Sequence, residues 1–155
     1  MDLLCSTLRS ETDDLDRSHV QLRVIGRVHE LSIKVQKELS KATAKLEHNE
    51  GLILNLALNY GGRQEIVDAV NKIIQSGVKQ VDEGHFNEFL YTGDLRDPDL
   101  LIRTSGEQRI SNFLLYQLAY SEFYITKTLW PDFRKKDLYQ AILDYQQRER
   151  RFGGV

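Results

Sequence analysis

Leu52 to Leu58 reads LILNLAL, an apolar run of strand length without alternation of polar and apolar residues. A strand with one wet face alternates, so a run of this kind is expected to be covered on both faces, as strands of parallel sheets are. Asn59-Tyr60-Gly61-Gly62-Arg63 then reads as a turn, and Gln64 to Ile74 as a helix. Working outward, the same alternation continues in both directions. Upstream lie a helix over Leu3 to Arg17, a strand over Gln21 to Ile25 and a long polar helix over Val28 to Lys45. Downstream, Asp82 caps a short helix running through Leu90, and Leu100 to Arg103 forms a strand opened by a proline turn. Ser111 N-caps a helix to Tyr120, Phe123 to Ile125 forms a short strand, and a last helix runs from Lys135 to about Arg150. The fold class expected is α/β, a mostly parallel sheet with helices on both faces. No repeat or low-complexity linker interrupts it, so residues 1–155 read as a single domain with an ordinary core. Gln75 to Gly84, containing SGVKQVDEG, is the segment expected to be a loop.

Composition bounds the partners. With 21 Lys and Arg against 23 Asp and Glu, the formal net charge of −2 gives no case for a nucleic-acid protein. The lone Cys5 excludes an intramolecular disulfide and fits a reducing compartment, as a buried, inert thiol in the first helix. No apolar run approaches the ~18 residues of a membrane span, and the first residues do not have the pattern of a signal peptide. The expected location is cytoplasmic, and any lipid is handled at the membrane surface or through a cavity.

Asp97 to Asn112, DPDLLIRTSGEQRISN, carries the chemistry. Two arginines and the small hydroxyl residues Thr104, Ser105 and Ser111 stand at the end of an apolar strand and just beyond it. The forked guanidinium groups of Arg103 and Arg109, the Ser111 hydroxyl and backbone N–H groups at a helix start match the oxygens of a phosphate or diphosphate. The alternative is that the arginines pair with Asp97, Asp99 and Glu107 and hold the loop. Arg63, at the carboxyl end of the central strand, is either a supporting phosphate contact or a solvated turn residue. Glu122 lies between aromatic and apolar neighbours, and a buried carboxylate needs a partner, either a hard cation or an arginine. The tail Arg148 to Gly154 reads as a basic helix end. Trp130-Pro131-Asp132-Phe133 reads as packing and a helix-entry turn, and His19, His29, His48 and His85 are scattered without metal spacing.

DLLIRTSGEQRISNFLLYQLAYSEFY, then LWPDF, then RERRFGG, resembles the carboxy-terminal signature of the cis-prenyltransferases, the family of undecaprenyl diphosphate synthase. LNLALNYGGRQEIVDAV, Leu54 to Val70, is similar to the family's central strand and following helix. The blocks occur in the family's order, and the resemblance spans nearly the whole chain.

That resemblance implies a chain-elongating transferase that condenses isopentenyl diphosphate onto an allylic diphosphate to give polyprenyl, undecaprenyl-type, diphosphate. It implies Arg103, Arg109 and Ser111 on the isopentenyl diphosphate, and Mg2+ as the cofactor, with Glu122 reaching the metal across a homodimer interface. Arg151 and Gly153 would complete the neighbouring subunit's substrate site, and the product would bring the protein to a membrane surface. The chain departs from the family in three ways, the mildest being Ser105-Gly106 where many relatives have Gly-Gly. Gln108 stands where many bacterial members have histidine. The family's His-x-x-x-Met-Asp-Gly-Asn block, with its catalytic aspartate, is absent, and the first residues look like the family's mid-chain helix; no residue here is assigned as the catalytic acid. The chain is therefore expected to represent the central and carboxy-terminal part of the fold. The competing expectation is a non-catalytic partner subunit or an inactive remnant that keeps the half-site and the dimer surface. Removal of a first strand would leave exposed edges, so poor solubility or dependence on a partner is expected.

Overall fold

The computed structural model describes residues 2–149 and divides the chain into two compact units, residues 1–92 and 93–155. The first contains helix α1 (Asp2–Arg17), strand β1 (Gln21–Ile25), helix α2 (Ile33–Leu46), strand β2 (Ile53–Ala57), helix α3 (Gly62–Ser76) and helix α4 (Glu83–Phe89). The second contains strands β3 (Leu100–Arg103) and β4 (Glu122–Ile125) and helix α5 (Lys135–Gln146). The class is α/β with parallel strands, as expected, but the strands form two separate parallel pairs, β1 with β2 and β3 with β4.

The core of the first unit follows from spacing. Val35, Leu39, Ala42 and Leu46 recur along α2 at helical intervals and are all buried, facing Cys5 and Leu8 of α1 and Leu22 of β1. Val28 to Glu30 form a single 3-10 turn rather than the start of α2, which begins after Ser32. Gly26 ends β1 at φ +106°, where a Cβ would lie 2.2 Å from the Leu58 carbonyl oxygen, so only glycine lets the chain turn beneath β2. Asp82 caps α4 as the sequence suggested, its Oδ1 accepting the His85 N–H at 2.8 Å.

β2 is not covered as its sequence predicts. Leu52 is 70% exposed, Ile53 42% and Leu54 36%. The hydrogen bonds give the reason. The Gln21 N–H donates to the Leu52 carbonyl and the Leu58 N–H to the Ile25 carbonyl, both at 2.9 Å. The period of two along a strand assigns Leu54 and Leu56 to β1 as well, and it turns the amides and carbonyls of Ile53, Asn55 and Ala57 to the opposite edge. Among the described residues that edge meets no further strand. Among the described residues, the buried side-chain Oδ1 of Asn55 has no donor.

In the second unit the expected helix over Ser111 to Tyr120 is replaced by a series of turns. Ser111, Asn112 and Leu114 have φ of 48°, 61° and 45°, the left-handed region, which an α-helical ladder cannot include. Ser111 is therefore not a helix N-cap, and no helix start contributes amides to the anion site. α5 begins at Lys135, its entry fixed by the Arg134 N–H donating to the Asp137 carboxylate at 2.8 Å. No described helix is long and apolar enough to cross a membrane.

Candidate functional site

Arg103 is the last residue of β3, and Arg109 and Ser111 lie in the turn that follows, so the candidate site stands at the carboxyl ends of parallel strands, where ligands bind in α/β sheets. Arg103 Nη2 donates to Glu107 Oε2 and lies 3.4 Å from Ser111 Oγ. Arg109 Nη2 sits 2.5 Å from the other oxygen of the same carboxylate, Glu107 Oε1. The sequence offered three acids as partners for these arginines, and Glu107 joins both of them. The Arg103 guanidinium above all, with Arg109 adding its charge and burial opposing, holds the Glu107 carboxyl below the usual carboxylate range. Asp97, by contrast, is pushed up by burial.

Arg103, Glu107, Arg109 and Ser111 open onto a cavity of about 640 Å3 whose remaining wall is Gln108 and the apolar Leu101, Ile110, Phe123 and Ile125. A charged end and a greasy wall in one cavity suit an anion attached to a hydrocarbon. Non-glycine residues in the left-handed region gather here too, Ser105 at φ 70° beside Ser111, Asn112 and Leu114. Backbone held away from its ordinary minima clusters at functional sites.

Glu122 is not brought into this cluster. It opens β4 opposite Leu100, whereas Arg103 pairs with Ile125 three residues further on, a separation of about 10 Å along the strands. Its Oε2 accepts from Arg148 Nη1 at 2.7 Å, so the arginine partner that the sequence left open is realised. Arg148 also binds Asp144 through Nε at 2.8 Å, and the two carboxylates, Glu122 first, raise its pKa. Among the described residues no three His, Cys, Asp or Glu side chains converge as a metal cage. A magnesium ion commonly takes one or two carboxylates beside substrate phosphates, so Glu122 fits it as a single oxygen ligand and in no larger role. Arg151 and Gly153 lie outside the described residues.

In the first unit the Asn59 to Arg63 turn leaves the carboxyl end of β2 with Asn59 at φ 47°. Asn59 Nδ2 donates to Glu30 Oε2 at 2.8 Å, and buried Glu65 accepts from the Tyr60 hydroxyl at 2.5 Å and from the Tyr91 N–H at 2.9 Å. A network unforeseen from sequence lies alongside. Asp68 accepts from Arg27 Nε at 2.9 Å, Arg27 Nη2 at 2.7 Å, Gln64 Nε2 at 3.1 Å and the Tyr91 hydroxyl. Its outermost members, Arg27 and Tyr91, are 64 residues apart in sequence, and no local pattern marks the network.

Parallel strands with covering helices define an α/β protein, and an arginine pair beside a partly apolar cavity stands at the carboxyl ends of one strand pair. A family model described as "Putative undecaprenyl diphosphate synthase" matches residues 1–153, and the chain belongs to that family, the cis-prenyltransferases. It is 51% identical over 160 residues to an isoprenyl transferase of Heliobacterium mobile, the match covering 99% of this chain and 62% of that protein. An isoprenyl transferase of Fusobacterium nucleatum is 50% identical over 155 residues, all of this chain and 67% of the relative. The chain thus spans about two thirds of the length of these relatives. Among solved structures, lavandulyl diphosphate synthase from Lavandula x intermedia, in complex with dimethylallyl diphosphate, superposes with a TM-score of 0.94 at 38% identity, over 99% of this chain and 70% of that one. A probable undecaprenyl diphosphate synthase from Campylobacter jejuni gives 0.89 at 34% identity, over 99% and 72%.

Proposed function

We infer that this chain, read as one domain over residues 1–155, carries the isopentenyl diphosphate half-site of a cis-prenyl chain-elongating transferase. The observation that carries this function is the cavity in which Arg103, Arg109 and Ser111 face an apolar wall of Leu101, Phe123 and Ile125. Arg103 and Arg109 hold the diphosphate through paired N–H donors, with Ser111 as a third contact, and the apolar wall takes the five-carbon tail. Bound magnesium would neutralise diphosphate charge, with Glu122 of a second copy as its protein ligand, reaching across the dimer interface. Condensation onto an allylic diphosphate then needs the departing diphosphate stabilised, which positioned cations supply in a dry site. Arg151 and Gly153 complete the site of a second copy, making the working assembly a homodimer. The product, polyprenyl diphosphate, is delivered at a membrane surface, and the protein works in the cytoplasm.

The second function is that of a partner subunit that binds isopentenyl diphosphate and leaves turnover to a longer chain; the convergence of Arg103, Arg109 and Ser111 on one cavity is compatible with it as well. One experiment separates the two. The purified chain is incubated with magnesium, farnesyl diphosphate and labelled isopentenyl diphosphate, and label is followed into butanol-extractable product. Product from this chain alone supports the transferase. Binding of isopentenyl diphosphate without product, lost in Arg103→Ala, supports the subunit. Binding that survives both Arg103→Ala and Arg109→Ala refutes the half-site.

A further inference from the structure

Two guanidinium nitrogens, Nη2 of Arg103 and Nη2 of Arg109, meet opposite oxygens of the Glu107 carboxylate. The same Arg103 nitrogen is the one that lies 3.4 Å from Ser111 Oγ. The carboxylate therefore occupies the point shared by the groups expected to hold a diphosphate, inside the cavity they line. We propose that Glu107 is a latch: its carboxylate is the internal occupant of the diphosphate subsite and swings out when a diphosphate takes its place. The proposal rests on the half-site described above.

Three observations support displacement over permanent residence. A carboxylate and a phosphate present the same pair of oxygens to a guanidinium fork, but the phosphate group carries more charge, so the ligand wins the exchange. The backbone under Glu107 is pinned: the Ser105 N–H donates to the Thr128 carbonyl at 2.9 Å and the Gly106 N–H to the Thr126 carbonyl at 2.8 Å. Only the Glu107 side chain needs to move, and at 36% exposure it has solvent to move into. Finally, the arginines hold the carboxyl ionised, so release comes by exchange with another anion and not by uptake of a proton. In the empty state the latch keeps two like charges close together that would otherwise repel.

A contrary role is a spacer, in which Glu107 sets the arginines in place and stays between them when ligand binds. The two roles give opposite signs. Titration calorimetry of the full chain with inorganic pyrophosphate, and then with isopentenyl diphosphate, is compared for wild type, Glu107→Gln and Glu107→Asp. A latch predicts about tenfold tighter binding for Glu107→Gln, since the ligand no longer breaks charge-assisted hydrogen bonds. Glu107→Asp, one methylene too short to span both arginines, gives a smaller gain and stands in should the glutamine variant fail to fold by circular dichroism. In an Arg109→Ala background the gain from Glu107→Gln falls below about threefold, because the lock needs both arginines. Unchanged or weaker binding by Glu107→Gln overturns the latch. So does a gain that is fully retained in the Arg109→Ala background, which would mark a general charge effect. Wild type and Glu107→Gln both failing to bind pyrophosphate would remove the half-site itself, and the latch with it.

Discussion

Asp68→Asn tests the network that anchors the carboxyl end of β1 to α3. Asp68 accepts two hydrogen bonds from Arg27, at 2.9 and 2.7 Å, one from Gln64 at 3.1 Å and one from the Tyr91 hydroxyl. Its side chain is 19% exposed, so solvent weakens these bonds only in part. Asparagine keeps one acceptor oxygen and loses the charge. A net loss of about 2 kcal/mol follows from the worth of hydrogen bonds to charged groups, equivalent to a fall in melting temperature of about 4 to 8 °C for a chain of this size. Urea unfolding at neutral pH reads the difference from the midpoint and slope. A change below about 0.5 kcal/mol would refute the network as a stabilising element, placing it among surface ion pairs of no measurable worth.

The same variant has a pH signature with a fixed sign. Arg27 first, and the Tyr91 hydroxyl after it, hold the Asp68 carboxyl far below its ordinary value. A depressed folded value means that the contribution is present above about pH 4, the unfolded carboxylate value, and is lost as the pH falls towards the folded one. Tyr91 moves the other way, pushed up to about 12 by burial first, then by its hydrogen bond to Asp68 and the charge of that carboxylate. Its contribution is complete below the unfolded value of about 10 and is lost as the pH rises from there to about 12. Absorbance titration of the phenolate, with Tyr91→Phe subtracted, is expected to show Tyr91 titrating lower in Asp68→Asn. An unchanged Tyr91 value would mean that burial alone sets it.

Other outcomes follow from the same geometry. Leu39 is 2% exposed in the α1–α2–β1 core, and Leu39→Ala is expected to cost about 3 kcal/mol in urea unfolding; a cost under about 1 kcal/mol would mean that the core collapses around the loss. Arg148→Met removes a half-exposed strap between Glu122 and the end of α5, worth no more than about 1 kcal/mol, and a loss of several kcal/mol would contradict that solvated geometry. Hydrogen exchange is expected to run faster at the amides of Ile53, Asn55 and Ala57 than at Leu54 and Leu56, because only the second set points to β1. Equal protection along β2 would mean that its other edge is covered.

Much of the fold was legible because its signals are local. Gln21–Ile25 and Leu100–Arg103 were read with their observed bounds, and the Asp82 cap was visible in a single residue. The failures lie where the chain follows distant or conformational demands. FLLYQLA after Ser111 has helical spacing, yet left-handed backbone at Ser111, Asn112 and Leu114 breaks the ladder that the spacing invites. Composition does not announce a positive φ at leucine. The candidate site was readable as residue types, two arginines and a serine beyond a strand, but not as geometry. Sequence offered Glu107 as one of three acids, and only the structure joins it to both arginines.

β2 carries the most instructive disagreement, because both halves of it are right. LILNLAL is the sequence of a strand meant to be buried on both faces, and Leu52, Ile53 and Leu54 are nonetheless open to solvent. An apolar strand gains nothing from water, and the orphaned Oδ1 of Asn55 gains nothing from burial without a donor. The run identifies the strand, while among the described residues pairing covers only its β1 edge. The arginine site differs in kind. Arg103 and Arg109 share in Glu107 an internal counter-ion, which neutralises part of their charge before any ligand arrives. That is why the anion site is already converged in this structure while the edge of β2 remains open.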